Sequence, residues 1–168
     1  MTDVYPILQH PDPRLSQPGQ PVEEVNDEIR AIIKKMFATH YAQSNCAALA
    51  ATQLGVPLRI TVIDFSHEKN EPLCLINPEI IERSTDMLNE FEGCMSVGGR
   101  INERVKRHQC IRVRALNEAG ESFEIEASDF LSRCIQHEID HLDGILFIDH
   151  LSGLKRKMVD RKFARRTQ

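Results

Sequence analysis

The stretch Ser132-Arg133-Cys134-Ile135-Gln136-His137-Glu138-Ile139-Asp140-His141-Leu142-Asp143-Gly144 decides how the rest of the chain is read. Leu131, Cys134, Ile135 and Leu142 fall on one side at helical spacing, so the stretch predicts an amphipathic helix that begins near Ser128, a plausible cap. Asp143-Gly144 suits the left-handed stop of such a helix. Within it, His137-Glu138-Ile139-Asp140-His141 is an HExxH motif. Positions i and i+4 project from the same helix face, so both imidazoles can reach one metal ion, and Glu138 sits one step round, within reach of the proton of an attacking water. Chance alone would place such a motif in a chain of this length roughly once in a few hundred sequences, so the signal is strong.

Two histidines leave a tetrahedral metal short of ligands. The third histidine of an HExxHxxGxxH pattern is missing, because Phe147 stands in its place, and no Glu follows Glu138 anywhere in the chain. Asp149 and His150 are the downstream candidates. Upstream lies Glu92-Gly93-Cys94-Met95-Ser96, ahead of a Gly98-Gly99 turn, where a thiolate beside a glycine can approach both a metal and an extended peptide. Farther back, Leu49-Ala50-Ala51-Thr52-Gln53-Leu54-Gly55 places an amide side chain after a run of small residues. Taken singly, each upstream segment also fits ordinary packing.

Around these segments the chain reads as α+β: small antiparallel or mixed sheets packed around a central HExxH helix, with an N-terminal and a C-terminal helix. The opening to Pro21 holds five of the eight prolines and predicts an extended arm lying on the domain. Asn26 or Asp27 caps a helix reaching about His40, with Ile29, Ile32, Ile33, Met36 and Phe37 as its buried stripe. Residues 59–65 and 73–81 read as strands, and 110–116 with 122–126 as an antiparallel hairpin around Asn117-Glu118-Ala119-Gly120. A third helix spans about 152–166.

The 168 residues fit one domain, 1–168, with 152–168 as a basic C-terminal helix. Hydrophobic residues at 41% and charged residues at 27% exclude wholesale disorder, and a net charge of −4 argues against general nucleic-acid coating. No apolar run approaches the roughly 20 residues of a membrane span, and the opening residues carry no secretory or transit signature. Five scattered cysteines without a CxxC pair point to a reducing, cytoplasmic setting.

Together, EGCxS, then QHExDHLDG, with LAATQ upstream, resemble the peptide deformylase family, and the likeness extends to the Ile7-Leu8 and Pro11-Asp12-Pro13-Arg14-Leu15 opening. The resemblance implies a metal-dependent hydrolase that removes the N-formyl group from the formylmethionine end of nascent polypeptides and releases formate. It implies Cys94, His137 and His141 as metal ligands and Glu138 as the group that takes the proton of water and returns it to the leaving amine. The Gln53 amide and the Met95 N–H would hold the oxyanion. Cys134 and His137 would wall the methionine pocket, and the peptide would pair along Ala47, Ala48 and Gly93. The implied metal is one Fe2+ per chain, with Zn2+, Ni2+ or Co2+ as substitutes, in a bacterial, cytoplasmic monomer without membrane contact. Lys155, Arg156, Lys157, Arg161, Lys162, Arg165 and Arg166 face one acid, Asp160, so the third helix is either a solvated face or a tail docking at the ribosome exit tunnel.

The chain also departs from the family pattern. Cys46-Ala47-Ala48 stands where a GxG is usual, Val97-Gly98-Gly99 replaces the usual proline after the cysteine motif, and the stretch from Arg100 to Arg107 reads one residue long. No arginine role is therefore carried onto it. A catalytically weak or inactive relative, and an HExxH zinc peptidase using Asp149, remain as the alternatives.

Overall fold

The computed structural model describes residues 3–99 and 101–166. Arg100, the side chain of Arg166, and the Thr167-Gln168 end of the expected C-terminal helix lie outside the described residues. The N-terminal arm runs extended apart from a 3-10 turn at Pro13–Ser16, capped by the Asp12 side chain. Asn26 accepts a hydrogen bond from Ile29 N at 3.0 Å and so starts helix α1, Asp27–Tyr41. Ile29, Ile33 and Met36 of its stripe are buried, whereas Ile32 and Phe37 lie half-buried at the edge.

Five strands, β1 (Ala48–Ala50), β2 (Ile60–Ile63), β3 (Leu73–Arg83), β6 (Cys110–Leu116) and β7 (Ser122–Ser128), form one sheet in the order β1-β2-β3-β6-β7. All of its pairings are antiparallel. Every residue of β2 is buried because the sheet is covered on both faces. Ile60 and Val62 pack with Ile33 and Met36 of α1, while Ile63 packs with Ile135 and Ile139 of the motif helix α2, Asp129–Leu142. Period-two alternation along β2 thus assigns one helix to each face. The α+β architecture with three helices, the last being α3 (Gly153–Arg166), matches the class read from sequence.

Strands β4 (Met87–Glu92) and β5 (Glu103–His108) pair antiparallel as a separate two-stranded sheet, which the sequence reading had left unassigned. Gln136 holds this hairpin to α2 by accepting from His108 N at 3.0 Å and donating to His108 O at 2.8 Å. One local expectation is corrected. Ser128 precedes α2, but its side chain makes no capping bond, because the residue closes β7 opposite Cys110. The Asp129 N–H donates instead to Gln109 O at 2.9 Å. The helix does stop at the expected Asp143-Gly144 pair: Asp143 caps it and Gly144 adopts the left-handed conformation, where a Cβ would meet Ser16 O at 2.6 Å.

A bulge in β3 at Asn77 ties the arm to the sheet. Asn77 adopts φ 53°, accepts from Val22 N and donates to Val22 O, both at 2.8 Å. Asn77→Ala removes both bonds and forces an alanine into the left-handed region, so urea denaturation should show a loss of about 2–3 kcal/mol. Asn77→Gly relieves the backbone and should lose about 1 kcal/mol less.

Candidate metal centre

Helix α2 carries His137 and His141 on one face one turn apart, and the turn after β4 brings Cys94 against them. The Cys94 Sγ lies 3.3 Å from His141 Nε2, which lies 3.2 Å from His137 Nε2. The ligand atoms of the three residues all fall within 4.8 Å of one another. His137 Nδ1 donates to Glu92 Oε1 at 2.9 Å, which fixes the tautomer and turns the lone pair of Nε2 toward the cluster. Three electron-pair donors therefore face one point, with two imidazole nitrogens closer than their lone pairs tolerate without a shared proton or a cation. That donor set of two nitrogens and one sulfur fits a divalent transition metal.

Burial works against a charged His137, yet its bonds to Cys94 and Glu92 outweigh that and hold the imidazole up at about 10. His141 moves the other way, lowered by burial and then by the charge of His137. Burial also raises the Glu138 carboxyl, to about 7, with His137 opposing and Glu92 adding to the rise. Glu138 Oε2 is buried and has no hydrogen-bond partner among the described residues. A buried carboxylate oxygen without a donor is costly, and it marks a place where a proton-bearing molecule is expected.

Beneath the cluster runs a network absent from the sequence reading. The Glu92 carboxylate accepts from Arg107 Nε and Nη2, both at 2.9 Å, from Arg133 Nη2 at 2.8 Å and from His137. Arg107 also donates to Asp140 at 2.6 Å. Burial opposes the charge of Glu92, but these partners hold its carboxyl down at about 2. Glu92 belongs to the quoted EGC segment. Its partners lie 15, 41 and 45 residues away, and no spacing rule reaches that far.

The cluster opens into a groove with a cavity volume of about 630 Å³. Gln53, Met95, Ala47, Ala48, Gly93, Cys134, Cys94, His137 and Glu138 all line it, while His141 sits below with 1% exposure. Gln53 donates to Ser96 Oγ at 3.0 Å and to Cys94 Sγ at 3.5 Å, its carbonyl oxygen being taken by Ala50 N. Leu88, apolar and ahead of the cysteine motif, and Phe130, which no sequence signal marks, complete an apolar wall. Asp149 and His150 do not join the cluster. Asp149 accepts from Leu146 N and pairs with Arg156, and His150 pairs with Asp140, which corrects the downstream-ligand alternative.

Residues 4–157 match the family model described as polypeptide deformylase. The chain belongs to the polypeptide deformylase family. Peptide deformylase 1 of Coxiella burnetii is 54% identical over 164 residues, covering 96% of each chain. The crystal structure of a peptide deformylase from Legionella pneumophila superposes with a TM-score of 0.91 at 40% identity, over 98% of this chain and 95% of that one. The Ehrlichia chaffeensis peptide deformylase in complex with actinonin gives 0.91 at 38% identity, over 98% of both. Deformylase membership thus rests on sequence and fold alike.

Arg107 neutralises two buried or half-buried carboxylates, those of Glu92 and Asp140. Arg107→Met should destabilise metal-free protein by about 3–5 kcal/mol in urea denaturation, because it leaves buried charge uncompensated. Arg107→Lys should fall between, since an ammonium cannot fork across both oxygens of Glu92.

Proposed function

We propose that this chain removes the formyl group from N-terminal formylmethionine of nascent polypeptides, releasing formate and a free amine. The observation that carries the reading is the Cys94, His137 and His141 cluster beside the unpartnered carboxylate oxygen of Glu138, at the head of a groove. Membership of the deformylase family favours this activity over an HExxH peptidase or an inactive relative.

In this reading Cys94, His137 and His141 hold one divalent ion. When bound, such an ion supplies Lewis acidity to the formyl carbonyl and to the attacking water. Fe2+ is the ion we assign, from the family resemblance, with Zn2+, Ni2+ or Co2+ as substitutes. Glu138 Oε2 takes a proton from the water as its oxygen bonds to the formyl carbon. The developing negative oxygen is met by the Met95 N–H and by Gln53 Nε2, the amide that also donates to Ser96 Oγ and Cys94 Sγ. Glu138 then gives the proton to the peptide nitrogen as the carbon–nitrogen bond breaks.

The edge of the main sheet suits the peptide. Ala47 O accepts from Asp64 N at 2.9 Å, and backbone groups alternate along a strand, so the N–H and C=O of Ala48 face away from β2 toward the groove. An extended substrate can add there as a further strand, with Gly93 on its other side. At Gly93 a Cβ would meet Asn102 Oδ1 at 2.7 Å. The methionine side chain then lies against Cys134, Leu88 and Phe130.

No helix among the described residues is long and apolar enough to cross a membrane. We place the protein in the bacterial cytoplasm as a single-domain monomer whose basic α3 meets ribosomal RNA near the exit tunnel. Lys157, Arg161, Lys162 and Arg165 are exposed on α3, which supports an anion-facing role.

Formate release from formyl-Met-Ala-Ser, by protein prepared anaerobically with Fe2+ or Ni2+, tests the reaction. Wild-type protein should turn over, Glu138→Ala should lose roughly 10³-fold in kcat, and a chelator should abolish activity. Cys94→Ala should drop bound metal from about one ion per chain to near zero by elemental analysis. Turnover that survives Glu138→Ala would overturn the assignment. For α3, the triple change Arg161→Glu, Lys162→Glu and Arg165→Glu should abolish co-sedimentation with ribosomes at low salt and leave formate release within about twofold.

A further inference from the structure

We infer that Gln9 is a positioning residue that fixes the Met95–Gly98 turn and, with it, the aim of the Met95 N–H. The inference rests on the reading of the site given above, in which that N–H receives charge from the substrate.

The turn after Cys94 is soft by composition, since Gly98 and Gly99 adopt φ values of 70° and 69°. Its internal bonds are Val97 N and Gly99 N to Cys94 O, at 3.0 and 3.2 Å. These two bonds hold the carbonyl end of the Cys94–Met95 peptide unit, which carries the Met95 N–H, and leave the adjoining Met95–Ser96 unit, which meets it at the Met95 Cα, to other anchors. Ser96 N donates to Cys94 Sγ at 3.4 Å, which fixes one end of the Met95–Ser96 unit. The other end, Met95 O, accepts from Gln9 Nε2 at 2.8 Å, across 86 residues of sequence. The same amide accepts from Gly98 N at 3.2 Å through its Oε1, so one side chain spans the turn from residue 95 to residue 98. An amide offers a donor and an acceptor from one planar group, and of the two amide side chains the glutamine has the longer reach.

The backbone on either side of Gln9 is itself anchored to the site. Leu8 N donates to Gln53 O at 2.8 Å and His10 N to Ser96 O at 2.7 Å. The His10 ring lies 3.2 Å from Asp160 and edge-on to Phe163 of α3 at 5.6 Å, which holds the arm from behind. The arm therefore touches the carrier backbone of both oxyanion donors, Gln53 and Met95. Donors that stabilise a transition state act by being aimed before the charge appears, so a clamp on the turn acts on kcat rather than on substrate affinity.

Gln9→Met keeps the shape and removes both bonds. Gln9→Glu keeps the acceptor for Gly98 N and sets a carboxylate against Met95 O. With active sites normalised to bound metal, Gln9→Met should lower kcat for formyl-Met-Ala-Ser by about tenfold, a fraction of the roughly 10²–10³ that deletion of a donor itself costs. KM should stay within about twofold, and Gln9→Glu should fall at least as far in kcat. Amide hydrogen exchange on metal-free protein should show Gly98 N–H exchanging about tenfold faster in Gln9→Met and close to wild type in Gln9→Glu. A kcat within twofold of wild type, a rise in KM that accounts for the loss, or unchanged exchange at Gly98 would each overturn the proposal. Wild-type protein that releases no formate would bring down the reading of the site and the catalytic part of this proposal with it, while the exchange rates would still decide the clamp.

Discussion

A carboxylate taken out of water has to be compensated, and the compensation of Glu92 organises this molecule. Glu92 sits at the end of β4, two residues before Cys94, and its charge is met by Arg107 from β5 and by Arg133 and His137 from α2. Strand, hairpin partner and helix are thereby locked at one point. The pairing that lowers the electrostatic cost of burial also sets the distance between the cysteine turn and the two histidines. Because His137 spends Nδ1 on Glu92, its Nε2 is the atom that faces Cys94 and His141. The metal-fitting geometry follows from a buried ion-pair network, and a change anywhere in that network reaches Cys94 and His141 through His137.

The same network explains which parts of the structure were legible in the sequence. Helix α2 was legible because its two signals, apolar period and HExxH spacing, are local and both lie within fourteen residues. The β6–β7 hairpin was legible because its alternation and its Asn117–Gly120 turn are adjacent in the chain. Strands β4 and β5 were not. Met87-Leu-Asn-Glu-Phe-Glu92 and Glu103-Arg-Val-Lys-Arg-His108 carry few apolar positions, since one side of this two-stranded sheet is wet and the other is filled by guanidinium stems. β1 escaped notice because three residues are too few for a period to appear. The site residues near Cys94 were reached through a family resemblance. The spacing around Cys94 alone left Asp149 and His150 open, and only the fold, which pairs them elsewhere, closes that choice.

The altered first motif also has a physical reading. Cys46 is half-buried, and its thiol donates to Ala48 O at 3.3 Å. Ala48 O is the groove-facing carbonyl at the sheet edge where a peptide would pair. A substrate amide that reaches this oxygen meets one already bonded to sulfur. Thiols are weak donors and carbonyl oxygens carry two lone pairs, so the bond can be shared or exchanged at small cost. The methyl groups of Ala47 and Ala48 alternate across the strand, so only one of them can face a neighbouring peptide. The departure from glycine therefore narrows the groove locally and leaves its pairing edge intact.

Three cysteines line this groove, and burial separates their chemistry. Burial raises the Cys46 thiol to about 12, with Glu138 adding to the rise, and pushes Cys134 still higher for the same two reasons. Both stay protonated at neutral pH, and a neutral thiol is a poor ligand and a poor nucleophile. They serve as wall. Arg133 contributes to the same wall without charging it, because its guanidinium is consumed by Glu92 and by the carbonyls of Leu88, Glu90 and Val105. Its methylenes are what remains to face the groove. Cys46, Cys134 and the stem of Arg133 thus add apolar surface to a groove that also carries the carboxyl groups of Glu90 and Glu138. Cys94 is the thiol grouped with two imidazoles, within hydrogen-bond reach of His141 and Gln53.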